Sequence, residues 1–150
     1  MAILHLVCGL PGSGKSTLAH QLESGENTIW LSADYWMTRI VGDGYDEERR
    51  RAVEQIQWDL TKKLLKLGLN VVLDNGFWSR SEREGLCGEA AALGARTELH
   101  VLDVPLGELQ RRIAKRNRDL PSNCFPIKAR DLEAWSRLFQ PLGPDEVIKS

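Results

Sequence analysis

Three stretches of the chain combine residue types that do chemistry. The first is "GLPGSGKST", Gly9–Thr17. It fits the spacing G-x-x-x-x-G-K-[ST] through Gly9, Gly14, Lys15 and Ser16. Glycines let successive backbone N–H groups converge on an anion without Cβ obstruction. Here those groups belong to Gly12, Ser13, Gly14, Lys15, Ser16 and Thr17. A helix starting at this point adds unpaired N–H groups and the positive end of its dipole. Lys15 is placed to reach β- and γ-phosphates, and Ser16 to ligate Mg²⁺. The stretch holds the phosphates of a nucleoside triphosphate.

The second element is a pair of carboxylates. Asp74 ends the apolar run "VVLD", where it either orients Mg²⁺ and its waters or caps the next turn. Asp34, in "LSADYW", follows another apolar run. In open parallel sheets ligands bind outside the carboxyl ends of the strands, so both acids should face the γ-phosphate region. Asp34 there either takes a proton from an acceptor hydroxyl during phosphoryl transfer or caps a short helix. The third element is basic. "LQRRIAKRNRD" holds Arg111, Arg112, Lys115, Arg116 and Arg118. Arg112 and Arg116 share a helical face, opposite a Leu109/Ile113 stripe. Such a run is either a solvated basic face or a set of cations that close over charge developing in a phosphoryl-transfer transition state. Trp36 and Trp78 follow the two acids and either wall an acceptor pocket or pack the core, with Asn75 beside Asp74. His5, His20 and His100 have no sequence partner that suggests a ligand or a base, and Trp58 and Trp135 read as packing residues.

These groups need a frame. "AILHLV" at 2–7 reads as a buried strand, and a helix from Lys15 to about Glu23 follows the glycines. Further strands are expected at 28–32, 70–74 and 97–104, with a short fifth at 145–149. The longest helix signal covers 45–68, with Val53, Ile56, Leu60 and Leu64 on one face and Gly68 as its stop. A helix over 79–94 has Ser81 and Glu84 at capping-box spacing. Pro105 opens another helix to about Arg118, then "DLPSNCFP" is a loop. A last helix places Leu132, Trp135 and Phe139 on one face. Alternating strands and helices predict an α/β fold, a parallel sheet with helices on both faces. No repeat or internal boundary interrupts residues 1–150, which suit one domain.

Composition narrows the function classes. Hydrophobic residues make up 42% of the chain, enough for a packed core. Twenty basic and 21 acidic residues nearly cancel, so a surface that coats duplex nucleic acid is not expected. Three widely spaced cysteines without a CxxC or zinc pattern read as reduced thiols, which points to a cytoplasmic location. The N-terminus carries no signal-peptide or membrane-span pattern.

Taken in order, "GLPGSGKSTLA", "LSADYW", "VVLDNGFWSRSER" and "LDVPLGELQRRIAKRNRD" resemble the P-loop kinase family that includes the kinase domain of phage polynucleotide kinase. Zeta-toxin-like and chloramphenicol-phosphotransferase-like kinases are relatives. The resemblance covers nearly the whole chain. It implies a P-loop NTPase three-layer sandwich, with a five-stranded sheet in the order 2-3-1-4-5 and an arginine-bearing lid. It implies ATP as donor with Mg²⁺, Asp34 as general base and Asp74 as the Walker-B acid. It puts the lid arginine at Arg116, with Arg112 its neighbour. An acceptor-side arginine expected one helical turn after the base matches Arg39 only with a displacement of about a residue, and Arg80 and Arg83 are further acceptor-side candidates. No phosphatase domain is expected. The leading function is transfer of the γ-phosphoryl group of Mg·ATP to a hydroxyl of a small-molecule or nucleotide-like acceptor. The alternatives are a regulatory or switch NTPase acting through a protein partner, and a polynucleotide 5′-hydroxyl kinase.

Overall fold

The computed structural model describes residues 1–121 and 124–146. Four parallel strands form its sheet: β1 (Ile3–Cys8), β2 (Thr28–Leu31), β3 (Asn70–Gly76) and β4 (Arg96–Val101), in the order β2-β3-β1-β4. Helices α1 (Lys15–Glu23), α2 (Ala33–Trp36), α3 (Glu47–Lys66), α4 (Arg80–Ala92), α5 (Leu106–Arg118) and α6 (Ala129–Leu138) connect and cover the strands.

Alternation along the strands sorts the core into layers. Leu4, Leu6, Val71 and Leu73 pack with Trp58 and Leu65 of α3 and with Ala90 of α4 on one face. Val7 and Val72 pack with Ala19 of α1 on the other. Leu109, Ile113 and Leu132 join α5 to α6 in a third cluster, against Leu10 of the glycine loop. Strand β1 is central because both its faces are apolar: Leu4, Leu6, Val7 and Cys8 are all fully buried.

The expected strand order holds for the four strands. In place of the fifth, Pro144–Glu146 form a 3-10 turn, and residues 147–149 of that expected strand lie outside the described residues. Helix α3 turns most of the expected stripe inward, with Val53 buried and Leu60 and Leu64 packed against the core, but it leaves Ile56 outside. Ile56 is 57% exposed, while Val53, Gln57, Trp58, Thr61 and Leu65 are buried. The Thr61 hydroxyl donates to the Gln57 backbone carbonyl at 2.7 Å, while the Gln57 side-chain amide is buried without a hydrogen-bond partner among the described residues. The cap of α4 is Ser79, whose hydroxyl accepts from the Glu82 N–H, so the N-cap sits two residues before the expected Ser81. Pro105 is the N-cap of α5, and Phe139 is the C-cap of α6 rather than part of it.

Candidate active site

The glycine loop runs from β1 into α1, and its geometry explains its composition. Gly12 and Gly14 adopt φ of 85° and 98°, which residues with a Cβ rarely reach. A Cβ on Gly9 would lie 2.6 Å from the Ser13 hydroxyl oxygen. Gly14 is the N-cap of α1 and supplies no side-chain cap, so the first N–H groups of the helix stay open to an anion. The Lys15 ammonium donates to the Leu10 carbonyl at 3.0 Å, arching back over its own loop. Desolvation holds its pKa below the ordinary lysine range, and Asp34 and Asp74 partly offset that.

The loop is tied to the end of β3. The Gly9 N–H donates to the Gly76 carbonyl at 3.0 Å, and the Trp78 indole N–H donates to the Gly9 carbonyl at 3.1 Å. Gly76 has φ of 91°, and a Cβ there would come 2.9 Å from Gly9 O. The close approach sets Asp74 beside the phosphate loop. Asp74 is only 9% exposed, and burial pushes its pKa up to about 6, with the Asp34 charge adding to the rise.

Asp34 stands across from it on α2. The cap of that helix is Ser32, which accepts from the Tyr35 N–H at 3.2 Å. The Asp34 carboxylate is therefore free of capping, and its Oδ1 accepts from Arg50 of α3 at 2.9 Å. Phosphate loop, Asp34 and Asp74 line one cavity of about 960 Å³. Its far wall carries Arg50, Arg51, Glu54 and Glu82, with Tyr45, Phe125 and Trp135 among its aromatic surfaces. Burial raises the Glu54 carboxyl to about 7, with Arg50 opposing and Glu82 and Asp34 reinforcing the rise.

The basic helix α5 closes another side. Arg112 donates to Glu108 at 3.0 Å and to the Gly12 carbonyl at 3.1 Å, so it braces the loop backbone. Arg116, one turn further, also lines the cavity. Its Nε is buried and has no hydrogen-bond partner among the described residues. Beyond α5, the ring of Phe125 seats against Gly44, and the Tyr45 hydroxyl donates to Asp131 at 3.0 Å. Gly44, Tyr45 and Phe125 line the cavity where the α2–α3 and α5–α6 connections meet.

The expected residues divide clearly. Gly12, Gly14, Lys15, Ser16, Thr17, Asp34, Asp74, Asn75, Trp78, Arg112 and Arg116 line the cavity together. Ser13 lies buried beneath the loop. Trp36 packs against the large core cluster instead. Arg39 stands exposed, its guanidinium 5.0 Å from the Tyr35 ring centroid. A π-turn over Met37–Val41 follows α2 and changes the helical spacing around Arg39. Arg80 pairs with Glu84 and Asp145 at the surface. Arg83 is fully buried, bonded to Glu146 at 2.9 and 3.1 Å and to the Phe77 carbonyl at 2.8 Å. Neither Arg80 nor Arg83 lines the cavity.

Sequence reasoning missed Arg50, Glu54 and Trp135. Arg50 and Glu54 stand four apart on α3, a spacing that places them on one helical face. Trp135 reads from sequence as a packing residue. It does pack, its ring centroid 5.8 Å from that of Trp78, but it also lines the cavity.

A parallel sheet with a glycine loop between β1 and α1, and with acids at the ends of neighbouring strands, defines a P-loop NTPase domain with the kinase-type fold. Residues 4–142 match the AAA_33 family profile, described as an AAA domain, and the chain belongs to that family. Among solved structures, it is similar to a chain of the Pnkp1/Rnl/Hen1 complex: 25% identity, TM-score 0.65, with 74% of this chain and 38% of that one covered. A sugar kinase from Janibacter sp. is 20% identical at TM-score 0.70, with 98% and 83% covered. Chaetomium thermophilum Kti12 in complex with ADP-AlF3 is 18% identical at TM-score 0.69, with 95% and 82% covered. The chain spans less than half the length of the Pnkp1/Rnl/Hen1 chains it matches. A search of curated proteins gave no match. No helix among the described residues is long and apolar enough to cross a membrane.

Proposed function

We propose that residues 1–150 form one catalytic domain that transfers the γ-phosphoryl group of ATP to a hydroxyl of a small, polar acceptor. The observation that carries this reading is the shared cavity. The phosphate loop lines one side, Asp34 and the acidic–basic face of α3 line the other, and Arg116 borders both.

The residues present fit a Mg²⁺-nucleotide. The cradle at Gly14 has open helix N–H groups, and the Asn75 Oδ1 and Arg116 Nε are buried polar atoms without partners among the described residues. Bound Mg²⁺ supplies charge neutralisation between the phosphates. Ser16 and Asp74 are the residues that would hold it. The loop amides and Lys15 bind and orient the phosphate oxygens. Arg50 fixes the rotamer of Asp34, whose free oxygen accepts the proton of the acceptor hydroxyl. Arg112 is engaged with the loop, so Arg116 is the arginine left to meet charge on the migrating group. Catalysis of this kind rests on positioning and electrostatics.

The acceptor wall favours a small polar molecule over a polyanion. Asp34, Glu47, Glu54 and Glu82 outnumber Arg50 and Arg51 there, and Trp78, Trp135 and Tyr45 offer faces on which a sugar or a base stacks. A sugar kinase stands among the proteins of similar fold, in keeping with an acceptor of this class. Labelled γ-phosphoryl transfer should be measured against sugars, nucleosides and 5′-hydroxyl oligonucleotides. Product on a sugar or nucleoside is expected, and Asp34→Asn should keep nucleotide affinity while losing that product. Label released only to water by the native chain across the whole panel would refute the transferase reading.

A further inference from the structure

A second cluster of chemistry-bearing side chains lies outside the cavity. His5 of β1 stands in register with Glu98 of β4, and His100 is two residues further along β4. Strand alternation puts all three side chains on the sheet face that α1 covers, beside Val7 and Val72. The two histidines are 95 residues apart in sequence, so no local spacing announces them.

Their donor atoms converge. His5 Nδ1 lies 3.0 Å from His100 Nε2. Glu98 Oε2 lies 3.4 Å from His5 Nδ1 and 3.8 Å from His100 Nε2. One proton satisfies only one edge of this triangle. A neutral imidazole can donate to the other, but the carboxylate oxygen is left facing two ring nitrogens with no hydrogen bond to either. The closest point equidistant from the three atoms lies about 2.0 Å from each, and points up to about 0.9 Å out of their plane stay within the 2.0–2.2 Å reach of zinc to histidine nitrogen and carboxylate oxygen.

The surroundings are arranged for the same purpose. Arg96 holds the other Glu98 oxygen at 2.8 Å, which fixes the carboxylate rotamer and leaves Oε2 aimed at the rings. His5 is 8% exposed, while Glu98 and His100 are partly open, so an ion has a path in. Hydrogen-bonded strands carry the ligands, which sets their geometry before any ion arrives.

We propose that His5, Glu98 and His100 form a binding site for one zinc-class divalent transition-metal ion, with its fourth position taken by water. Two imidazoles and one carboxylate suit this class of metal over Mg²⁺ or Ca²⁺, which prefer all-oxygen shells. The ion would tie β4 to β1, the strand whose end leads into the glycine loop. None of its ligands lines the cavity, so the site is separate from the one that would hold a Mg²⁺-nucleotide.

The test uses the full chain stripped of metal, without nucleotide, titrated with Co²⁺ and then Zn²⁺ alone. One equivalent of Co²⁺ should bind with the visible spectrum of a nitrogen–oxygen site, and Zn²⁺ should displace it. Glu98→Gln and His100→Gln should each weaken binding by about 100-fold or more, beyond the 10–100-fold typical of residues that only orient a ligand. Both variants should keep native nucleotide affinity. A measurement on the native chain stands beside these: Zn²⁺ should shift the ring resonances of His5 and His100 and leave those of exposed His20 in place. Sulfur-to-cobalt charge transfer, equal affinity in native and variant chains, or unmoved His5 and His100 signals would overturn the site.

Discussion

Asp74→Asn separates the two demands made on one buried carboxyl. Burial and the Asp34 charge lift Asp74 from its ordinary 3.8 to about 6. At pH values below both figures the group is protonated in folded and unfolded chains alike, and its burial as a charge costs nothing. Above both it is charged in each, and the folded chain carries the whole penalty. Stability from this group therefore falls as pH rises, by about 3 kcal/mol over the full range at about 1.36 kcal/mol per pH unit. Urea unfolding of the native chain and of Asp74→Asn, without nucleotide or metal, measures it. The advantage of the variant should grow by about 2 kcal/mol between about pH 4.5 and about pH 8. Any pH-independent cost of the amide cancels in that difference. With Mg²⁺ and ATP added, the order should reverse, because the native carboxylate gains a cation that the amide holds poorly. A stability difference that stays flat with pH would refute the account of Asp74 as a charge stored at a cost until the metal arrives.

Three other perturbations probe separate parts of the molecule. Arg116→Gln should lower kcat by about 10²–10³-fold with little change in nucleotide affinity, as measured by steady-state kinetics beside nucleotide titration. Arg83→Met should destabilise the chain by about 3–5 kcal/mol in urea unfolding, because Glu146 is left charged at 1% exposure; adding Glu146→Leu should recover much of the loss. If the proposed acceptor wall is right, Glu54→Gln should flatten the pH dependence of the acceptor KM between about pH 6 and about pH 8, since burial raises Glu54 to about 7 and the amide mimics its protonated form.

The phosphate loop was legible because its chemistry is local. A glycine at a positive φ and a lysine at a helix start leave a mark within nine residues, and the fold places Gly12, Gly14 and Lys15 as that mark implies. Strand order was legible only through the resemblance, and the structure then sorts Leu4, Leu6, Val71 and Leu73 to one face and Val7 and Val72 to the other. The acceptor side was not, because it depends on rotation and on long-range partners. The π-turn at Met37–Val41 leaves Arg39 exposed beside Tyr35. The pairing of Arg83 with Glu146 bridges 63 residues, and nothing near either position announces it. Arg50 and Glu54 sit in a helix that the sequence marks only by its apolar face, and the pairing of Arg50 with Asp34 spans 16 residues. His5 and His100 meet only through strand register.

The seat of Phe125 on Gly44, with the Tyr45 hydroxyl bonded to Asp131, has a kinetic meaning. The aromatic ring narrows one side of a cavity that is otherwise open to solvent, so exchange is expected to slow only for molecules that must pass this contact. A bulkier side chain in place of Gly44 would prop the contact ajar, quickening that exchange while letting more bulk water reach the phosphoryl group and divert it to hydrolysis.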